Sequence, residues 1–258
     1  MGFQTKIVFV FIAAYNSQTT IGDSVEFFPS QDRLDMELIV IDGASEDGTC
    51  AIVEGFNSPT IRFCSQSDQG IYDAQNKGMA LVDGEMTGLS HTDDLFARQS
   101  VLAQVAKAFG SGNIDGVYGD LEYVARDCPG RASLDWRVGA CSPKPLRKDW
   151  MPPHPLLFLR RDVFEKHGSY EIGFRVATDF EAIRRWLTKG KLRLAYSPVV
   201  LFRIRVGDES YRSLGWVICK SREVLRAFRR YSIGGRGFCW PRTSASYVNS
   251  QVGKVPRI

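Results

Sequence analysis

Two adjacent carboxylates, Asp93 and Asp94, follow His91 and Thr92 directly after an apolar stretch. Oxygen donors of this kind suit a hard divalent ion, Mg²⁺ or Mn²⁺, that keeps phosphate oxygens among its ligands. Such an ion neutralises a diphosphate without moving a proton. At a strand end, one Asp can face the metal and the other a ribose; the competing role for Asp94 is a helix cap. A second polar segment reads Asp42-Gly43-Ala44-Ser45-Glu46-Asp47-Gly48-Thr49. Gly43 falls where a calcium loop needs its first Asp, which excludes an EF-hand. Asp42 can instead accept the N3–H of a uracil, while Asp47 to Thr49 turn the chain and start a helix. A third segment runs Ser67-Asp68-Gln69-Gly70-Ile71-Tyr72-Asp73-Ala74-Gln75-Asn76-Lys77-Gly78. On a helix, Asp73, Asn76 and Lys77 share one side, facing either a ligand or solvent. Tyr72 and Ala74 read as core.

These groups need elements that bring them together. β-Branched and aromatic runs at 6–12, 36–41 and 61–64, with a fourth strand at 85–89, alternate with helical stretches at 17–28, 47–56 and 71–82. That order implies an α/β fold with a mostly parallel central sheet flanked by helices. Right-handed crossovers then put every strand C-terminus on one edge, where ligands bind. Asn16, Asp42, Asp68 and Asp93–Asp94 all follow strands on that edge, and their convergence says more than any one of them.

The second half opens with a helix over 98–109 and a strand over 114–124. Residues 127–151, rich in Pro, Gly, Arg and Lys, read as a long loop or binding wall. A strand at 156–160 and helices at 162–167 and 178–188 follow, then strands at 192–196 and 199–204 split by Pro198. Beyond Ser210 the pattern turns helical: Leu214, Val217, Ile218, Leu225 and Phe228 share one arc, and Arg222, Arg226, Arg229 and Arg230 the opposite one. The expected division is therefore 1–97 and 98–207 as two halves of one domain, with 208–258 as a basic helical tail.

The 258 residues carry 33 basic and 29 acidic side chains. The charge is uneven: from Arg203 onward there are 12 basic and 3 acidic residues. Residues 211–231 therefore pack their apolar arc on the body or lie on an anionic membrane surface. The six cysteines form no CxxC pair and match no zinc module, which suits free thiols in a reducing compartment. The apolar run 7–15 is too short to span a bilayer, which takes about 20 residues, so it reads as a buried strand. The expectation is a cytoplasmic protein, with the tail offering a peripheral contact on the inner face of the cytoplasmic membrane. No nucleic-acid partner is expected, since no RNA-binding motif accompanies the basic tail.

Together with Ala13-Ala14-Tyr15-Asn16, the three polar segments resemble, in order and spacing, the family 2 glycosyltransferases of the GT-A fold, particularly bacterial polysaccharide and glycolipid enzymes. The resemblance covers about residues 6–207. It implies an inverting transfer from a nucleotide-diphosphate sugar, a UDP-sugar by analogy, to a saccharide or lipid-linked acceptor, with Mn²⁺ or Mg²⁺. Carried over residue by residue, Tyr15 and the backbone near Ala13 would flank the base, beside Asn16 of the same motif. Asp42 would hydrogen-bond the base. Asp68, Asn76 and Lys77 would line the donor pocket. Asp93 would contact ribose or metal, and Asp94 the metal. Asp179, opening a late helix in Ala177-Thr178-Asp179-Phe180-Glu181, matches the family's general base, although a helix N-cap is its plainer role. His154, between Pro153 and Pro155, matches a segment beside the acceptor.

The sequence also departs from the family's pattern. His91 stands where relatives often carry Asn or Asp. Arg203 and Arg205 fall where some relatives place a His near metal or phosphate; an Arg there can neutralise the diphosphate, or simply alternate on an exposed strand. A sugar nucleotidyltransferase would show a Gly-rich phosphate loop after the first strand, and 13–20 contains no Gly. A dehydrogenase would show G-x-G-x-x-G, which is missing. A non-catalytic lipid- or nucleic-acid-binding module would rest on the tail alone.

Overall fold

The computed structural model describes residues 8–32, 35–110, 112–125, 128–140, 151–174 and 177–206, together with 222–224, 226–227 and 230. Four strands form the first half of the sheet: β1 (Val8–Ala14), β2 (Met36–Asp42), β3 (Ile61–Ser65) and β4 (Met86–Ser90). They lie parallel in the order β3-β2-β1-β4. All of β2 and β4 is buried, as expected of strands covered on both faces. The register sets Ala14 beside Asp42 and Asp42 beside Ser65, with Ile12 beside Ser90. The strand ends thus form one rim.

Alternation along β1 divides the core. Val8, Val10 and Ile12 face a layer built with α1 (Ile21–Glu26), α2 (Thr49–Glu54) and α4 (Val101–Gly110). Phe9 and Phe11 face α3 (Ile71–Ala80), α5 (Arg161–His167) and α6 (Thr178–Thr188).

The sheet continues beyond β4 through β8 (Leu157–Arg160), β6 (Gly116–Ala125), β9 (Leu194–Val206) and β5 (Asp94–Phe96). β8 runs antiparallel to both its neighbours, β6 and β9 are parallel, and β5 is antiparallel to β9. One ladder therefore runs through both expected halves.

Three expectations change. The stretch read as a loop from residue 127 contains β7 (Cys128–Trp136), antiparallel to β6 with register shifts. Pro129 and Gly130 hide it from a pattern reading, because Pro within a run marks an edge strand or a bulge. The two strands expected around Pro198 are one long strand, with a shift in the β6–β9 register nearby that accommodates the proline. Asp94 does not cap a helix; it opens the short strand β5.

Residues 141–150 and most of 207–258 lie outside the described residues, and with them most of the expected tail. The described part is helical at 222–224, 226–227 and 230. There Val224 and Ala227 are buried against Phe174, Ala177 and Phe180, so this part packs on the body. No helix among the described residues is long and apolar enough to cross a membrane.

Candidate active site

The loops after β1 and β2 are stitched together. The Asn16 N–H donates to Ser45 Oγ at 2.8 Å, and Asn16 Oδ1 accepts the Glu46 N–H at 2.9 Å. The Gln18 N–H donates to Asp47 Oδ2 at 3.1 Å, while Asp47 Oδ1 accepts the Thr49 N–H at 2.9 Å. Asn16 thus holds the rim from a left-handed turn, φ 46°, that asparagine tolerates better than most residues.

Asp42 is 0% exposed. Its Oδ2 accepts the Ser45 N–H at 2.9 Å, the Ser65 hydroxyl at 2.7 Å and the Cys50 thiol at 3.3 Å. Its Oδ1 accepts the Ser45 hydroxyl. Burial pushes its pKa up, but these donors outweigh burial and hold it below the usual carboxylate value. Both oxygens are engaged inside the chain. Asp68 stands differently. A β-carbon on Gly43 would lie 2.5 Å from Asp68 Oδ2 and 3.4 Å from Tyr15 Cδ2. The missing side chain at position 43 is what lets the Asp68 carboxylate lean over the rim beside the Tyr15 ring. Asp68 Oδ1 accepts the Gly70 N–H at 2.7 Å, and Oδ2 is the oxygen turned toward Gly43. Tyr15 is 61% exposed, an open aromatic face. Ala13 lies in β1 beside Ile41, and Ala14 O accepts the Gly43 N–H at 2.8 Å, fixing the loop beneath that ring.

Beyond β4 the chain turns through His91 to Asp94. Asp94 Oδ2 accepts the His91 N–H at 3.0 Å, and the Thr92 carbonyl accepts the Ser24 hydroxyl of α1 at 2.8 Å. Asp94 is 2% exposed. Burial first, then the neighbouring Asp93 charge, push it up to about 6, against an opposing effect of His91. A buried carboxylate beside a second one is a place where negative charge lacks compensation, and a cation relieves it. Among the described residues no three His, Cys, Asp or Glu side chains gather as a complete metal cage. The residues therefore fit an ion that the protein holds by one or two carboxylates and shares with phosphate oxygens.

A second cluster surrounds the start of α6. The Tyr72 hydroxyl of α3 donates to Asp179 Oδ1 at 3.5 Å. His154 Nε2 lies 2.7 Å from the Tyr170 hydroxyl, and its ring is 6.3 Å from that of His91, which links the cluster to the Asp94 turn. Burial drives the His154 pKa down to about 4, partly opposed by the Asp179 charge. Burial and the same Asp179 charge push the Tyr72 and Tyr170 phenols above their usual range, so both stay protonated.

Other expected site residues serve as braces. Asn76 pairs both amide atoms with the Tyr170 backbone, donating to its carbonyl at 2.8 Å and accepting its N–H at 2.9 Å. Lys77 donates to the Ser67 carbonyl at 2.7 Å and pairs with Asp73 at 3.1 Å, which fixes the loop carrying Asp68. Arg203 and Arg205 do not join the carboxylates. Asp94 pairs across the ladder with Ile204, so the arginines on either side of Ile204 point to the opposite face. Arg203 is bound to Glu122 at 3.0 Å, and Arg205 to Asp23. Arg203 is part-exposed, whereas the Arg205 side chain is only 8% exposed.

Sequence reasoning missed Tyr72 as a partner of Asp179, since an aromatic at a helix start reads as core. It also missed that Gly43 and Asp68 share one space; the Gly where a side chain was expected was the available signal.

A family model described as "Glycosyl transferase family 2" matches residues 9–186, from the second residue of β1 through the rim to Trp186 in α6. An uncharacterized glycosyltransferase of Mycobacterium tuberculosis is 30% identical over 227 residues, covering 84% of this chain and 79% of its own. A PGL/p-HBAD biosynthesis glycosyltransferase of Mycobacterium bovis is 29% identical over 177 residues, covering 65% and 64%. Among solved structures, Staphylococcus aureus TarS 1–349 in complex with UDP superposes with a TM-score of 0.67 at 16% identity over 89% of this chain. This chain spans 66% of that fragment's length. The mannosyltransferase PcManGT of Pyrobaculum calidifontis, in complex with GDP-Man and Mn²⁺, gives a TM-score of 0.65 at 18% identity, covering 97% and 71%. These likenesses show a GT-A fold. With the family match spanning β1 to α6, the chain belongs to the family 2 glycosyltransferases and is a glycosyltransferase enzyme.

Proposed function

We propose that this enzyme transfers a sugar, with inversion, from a nucleoside-diphosphate sugar, in first place a UDP-sugar, to a saccharide or lipid-linked acceptor in surface polysaccharide or glycolipid synthesis. The observation that carries the reading is the rim itself. An aromatic face (Tyr15) and a leaning carboxylate (Asp68) stand at the ends of β1 and β3, a buried carboxylate turn follows β4, and Asp179 reaches Tyr72 from α6. The glycolipid setting is supported by the name of the M. bovis relative.

On this reading the base stacks on Tyr15, and its imino N–H is accepted by Asp68 Oδ2. Asp42, expected to make that contact, instead ties the β2 end to Ser45, Cys50 and Ser65 and keeps the rim in shape. Asn16, Asn76 and Lys77 act at one remove, by bracing the two loops and the Tyr170 segment. Asp93 faces the ribose or the ion, and Asp94 the ion. A divalent ion bound by Asp94 and Asp93, Mn²⁺ or Mg²⁺, would supply charge neutralisation at the diphosphate. Asp179 takes the proton of an acceptor hydroxyl. That oxygen forms its bond to the anomeric carbon as the bond from that carbon to the diphosphate oxygen breaks on the opposite face. A positioned base contributes about 10²–10⁴-fold. Neutral His154 holds the Tyr170 hydroxyl beside this carboxylate without adding charge.

The test is a panel of UDP- and GDP-sugars with Mn²⁺, read by diphosphate release and by thermal stabilisation, since a ligand bound to the native state raises the melting temperature. A UDP-sugar is expected to lead on both readouts, and EDTA to abolish release. Release that persists undiminished in metal-free buffer overturns the role given to Asp94.

A further inference from the structure

Asp179 sits two residues beyond Ala177, the N-cap of α6. In a capping box the third helical residue is a Glu or Gln that turns back and accepts the N–H of the N-cap. Here that residue is Phe180, which cannot accept. Ala177 is 0% exposed, so its N–H is cut off from water and needs an acceptor within the protein. The acceptor comes from far along the chain: Glu223 Oε2 takes the Ala177 N–H at 2.9 Å. Around this bond the described residues from 222 to 230 are seated on the same segment. Val224 and Ala227 pack on Phe174, Ala177 and Phe180. The Arg226 guanidinium stands 4.9 Å over the Phe174 ring, and Arg230 pairs with Glu171.

We propose that Glu223 is a positioning residue for Asp179: it completes, from a helical turn late in the chain, the cap that α6 lacks, and so fixes the turn that presents the base. The proposal rests on the reading of Asp179 as that base. A helix end without its cap frays in the first turn, and Asp179 lies in that turn. A carboxylate at this end also faces the positive pole of the helix dipole, which favours the same placement. Displacement of a catalytic group by about 1 Å can cost on the order of 100-fold in rate. Partial fraying is expected to cost on the order of tenfold.

The experiment uses the full chain, with the fastest donor of the UDP- and GDP-sugar panel, Mn²⁺ and water as acceptor. Hydrolysis kinetics, calorimetric binding of the matching nucleoside diphosphate and thermal melting are measured for Glu223→Ala, Glu223→Gln, Arg222→Ala and Asp179→Asn. Glu223→Ala is expected to lose about tenfold in kcat, with donor KM and diphosphate binding unchanged. Glu223→Gln keeps an acceptor oxygen and is expected to recover most of the rate. Arg222→Ala removes an exposed charge from the same helix and is expected to match wild type. Asp179→Asn is expected to lose turnover and keep binding. Wild-type kcat in Glu223→Ala beside an inactive Asp179→Asn overturns the positioning role and leaves the base intact. An active Asp179→Asn overturns both. Equal losses in Glu223→Ala and Arg222→Ala, or no recovery in a folded Glu223→Gln, assign the effect to helix charge and overturn the proposal. If Glu223→Ala fails to fold, Glu223→Gln decides alone: it must keep most of the wild-type kcat, and a folded, tenfold slower variant refutes the hydrogen-bond account.

Discussion

Replacing Gly43 by alanine isolates the base contact from the stability of the rim. The added β-carbon would lie 2.5 Å from Asp68 Oδ2, closer than real β-carbons approach, and a tight 3.2 Å from its Cγ. Gly43 is not among the positive-φ glycines, so alanine fits its backbone and only the carboxylate must move. Asp68 is partly exposed and can swing outward, giving up its 2.7 Å bond from the Gly70 N–H. That loss is worth about 1 kcal/mol. The narrower unfolded ensemble of alanine returns roughly 0.4–1 kcal/mol, so net stability should change little. The nucleotide, however, loses a hydrogen bond to a charged acceptor, about 1.5–3 kcal/mol, or roughly 10- to 150-fold in Kd. Calorimetric titration of UDP with Mn²⁺, beside urea unfolding, measures both. Asp68→Asn should weaken UDP similarly, and the double variant should lose no more than either single one, because both remove the same contact. Wild-type affinity in Gly43→Ala, or additive losses in the double variant, refutes the assignment of Asp68 to the base.

Asp42→Asn should act mainly on stability, costing about 2–3 kcal/mol in urea unfolding, because an amide nitrogen would face donors that now converge on a buried carboxylate. The depressed Asp42 pKa gives stability that is present above about pH 4 and is lost as pH falls through its lower folded value; the Asn variant should lack that acid dependence. His154 behaves in the reverse sense: its folded value of about 4 lies below the ordinary 6.5, so the unfolded chain takes up the proton first. Stability should therefore fall between pH 6.5 and 4, by about 3 kcal/mol at most, and His154→Gln should flatten that slope, with equal slopes in the two proteins counting against it. Gly88→Ala would drive a β-carbon to 2.3 Å from the Phe158 ring inside the sheet; about 1–3 kcal/mol of destabilisation is expected, and an unchanged melting temperature would contradict the packing described.

The first half of the fold was legible because β1 is an uninterrupted apolar run, β2 is broken only by Glu37 before its terminal Asp42, and the loops between the strands carry turn residues. The boundaries of α6 were read in full, since apolar spacing and a terminal Lys-Gly agree. Pro129 and Pro198 misled for one reason: a sheet accepts proline at a bulge or an edge, and pairing partners do not show in a local window. The rim was legible as a set of polar residues after strands, but not as a division of labour. Along the chain Asp42 reads as the contact to the base and Asp68 as part of the pocket lining. That reading changes only when Ser45, Cys50 and Ser65 are seen to close around one, and empty space above Gly43 is seen to admit the other. Glu223 gave no signal, because the helix end it caps lies 46 residues earlier.

The pairing of β5 with β9 ties the order of synthesis to the onset of activity. Asp94 is held opposite Ile204, so the strand it opens has no ladder partner until about 110 further residues have been made. A growing chain on the ribosome can pair β1 to β4 early, with the strand ends that carry Tyr15 and Asp68. Ser24 of α1 already holds the Thr92 carbonyl of the carboxylate turn, but the strand that Asp94 opens is paired only when β9 arrives, since contacts this distant in sequence form late. On the proposed function, a chain without β9 lacks both the partner of the strand that Asp94 opens and the buried Leu201 and Phe202 of the core shared with β1, so transfer would begin only once β9 is in place.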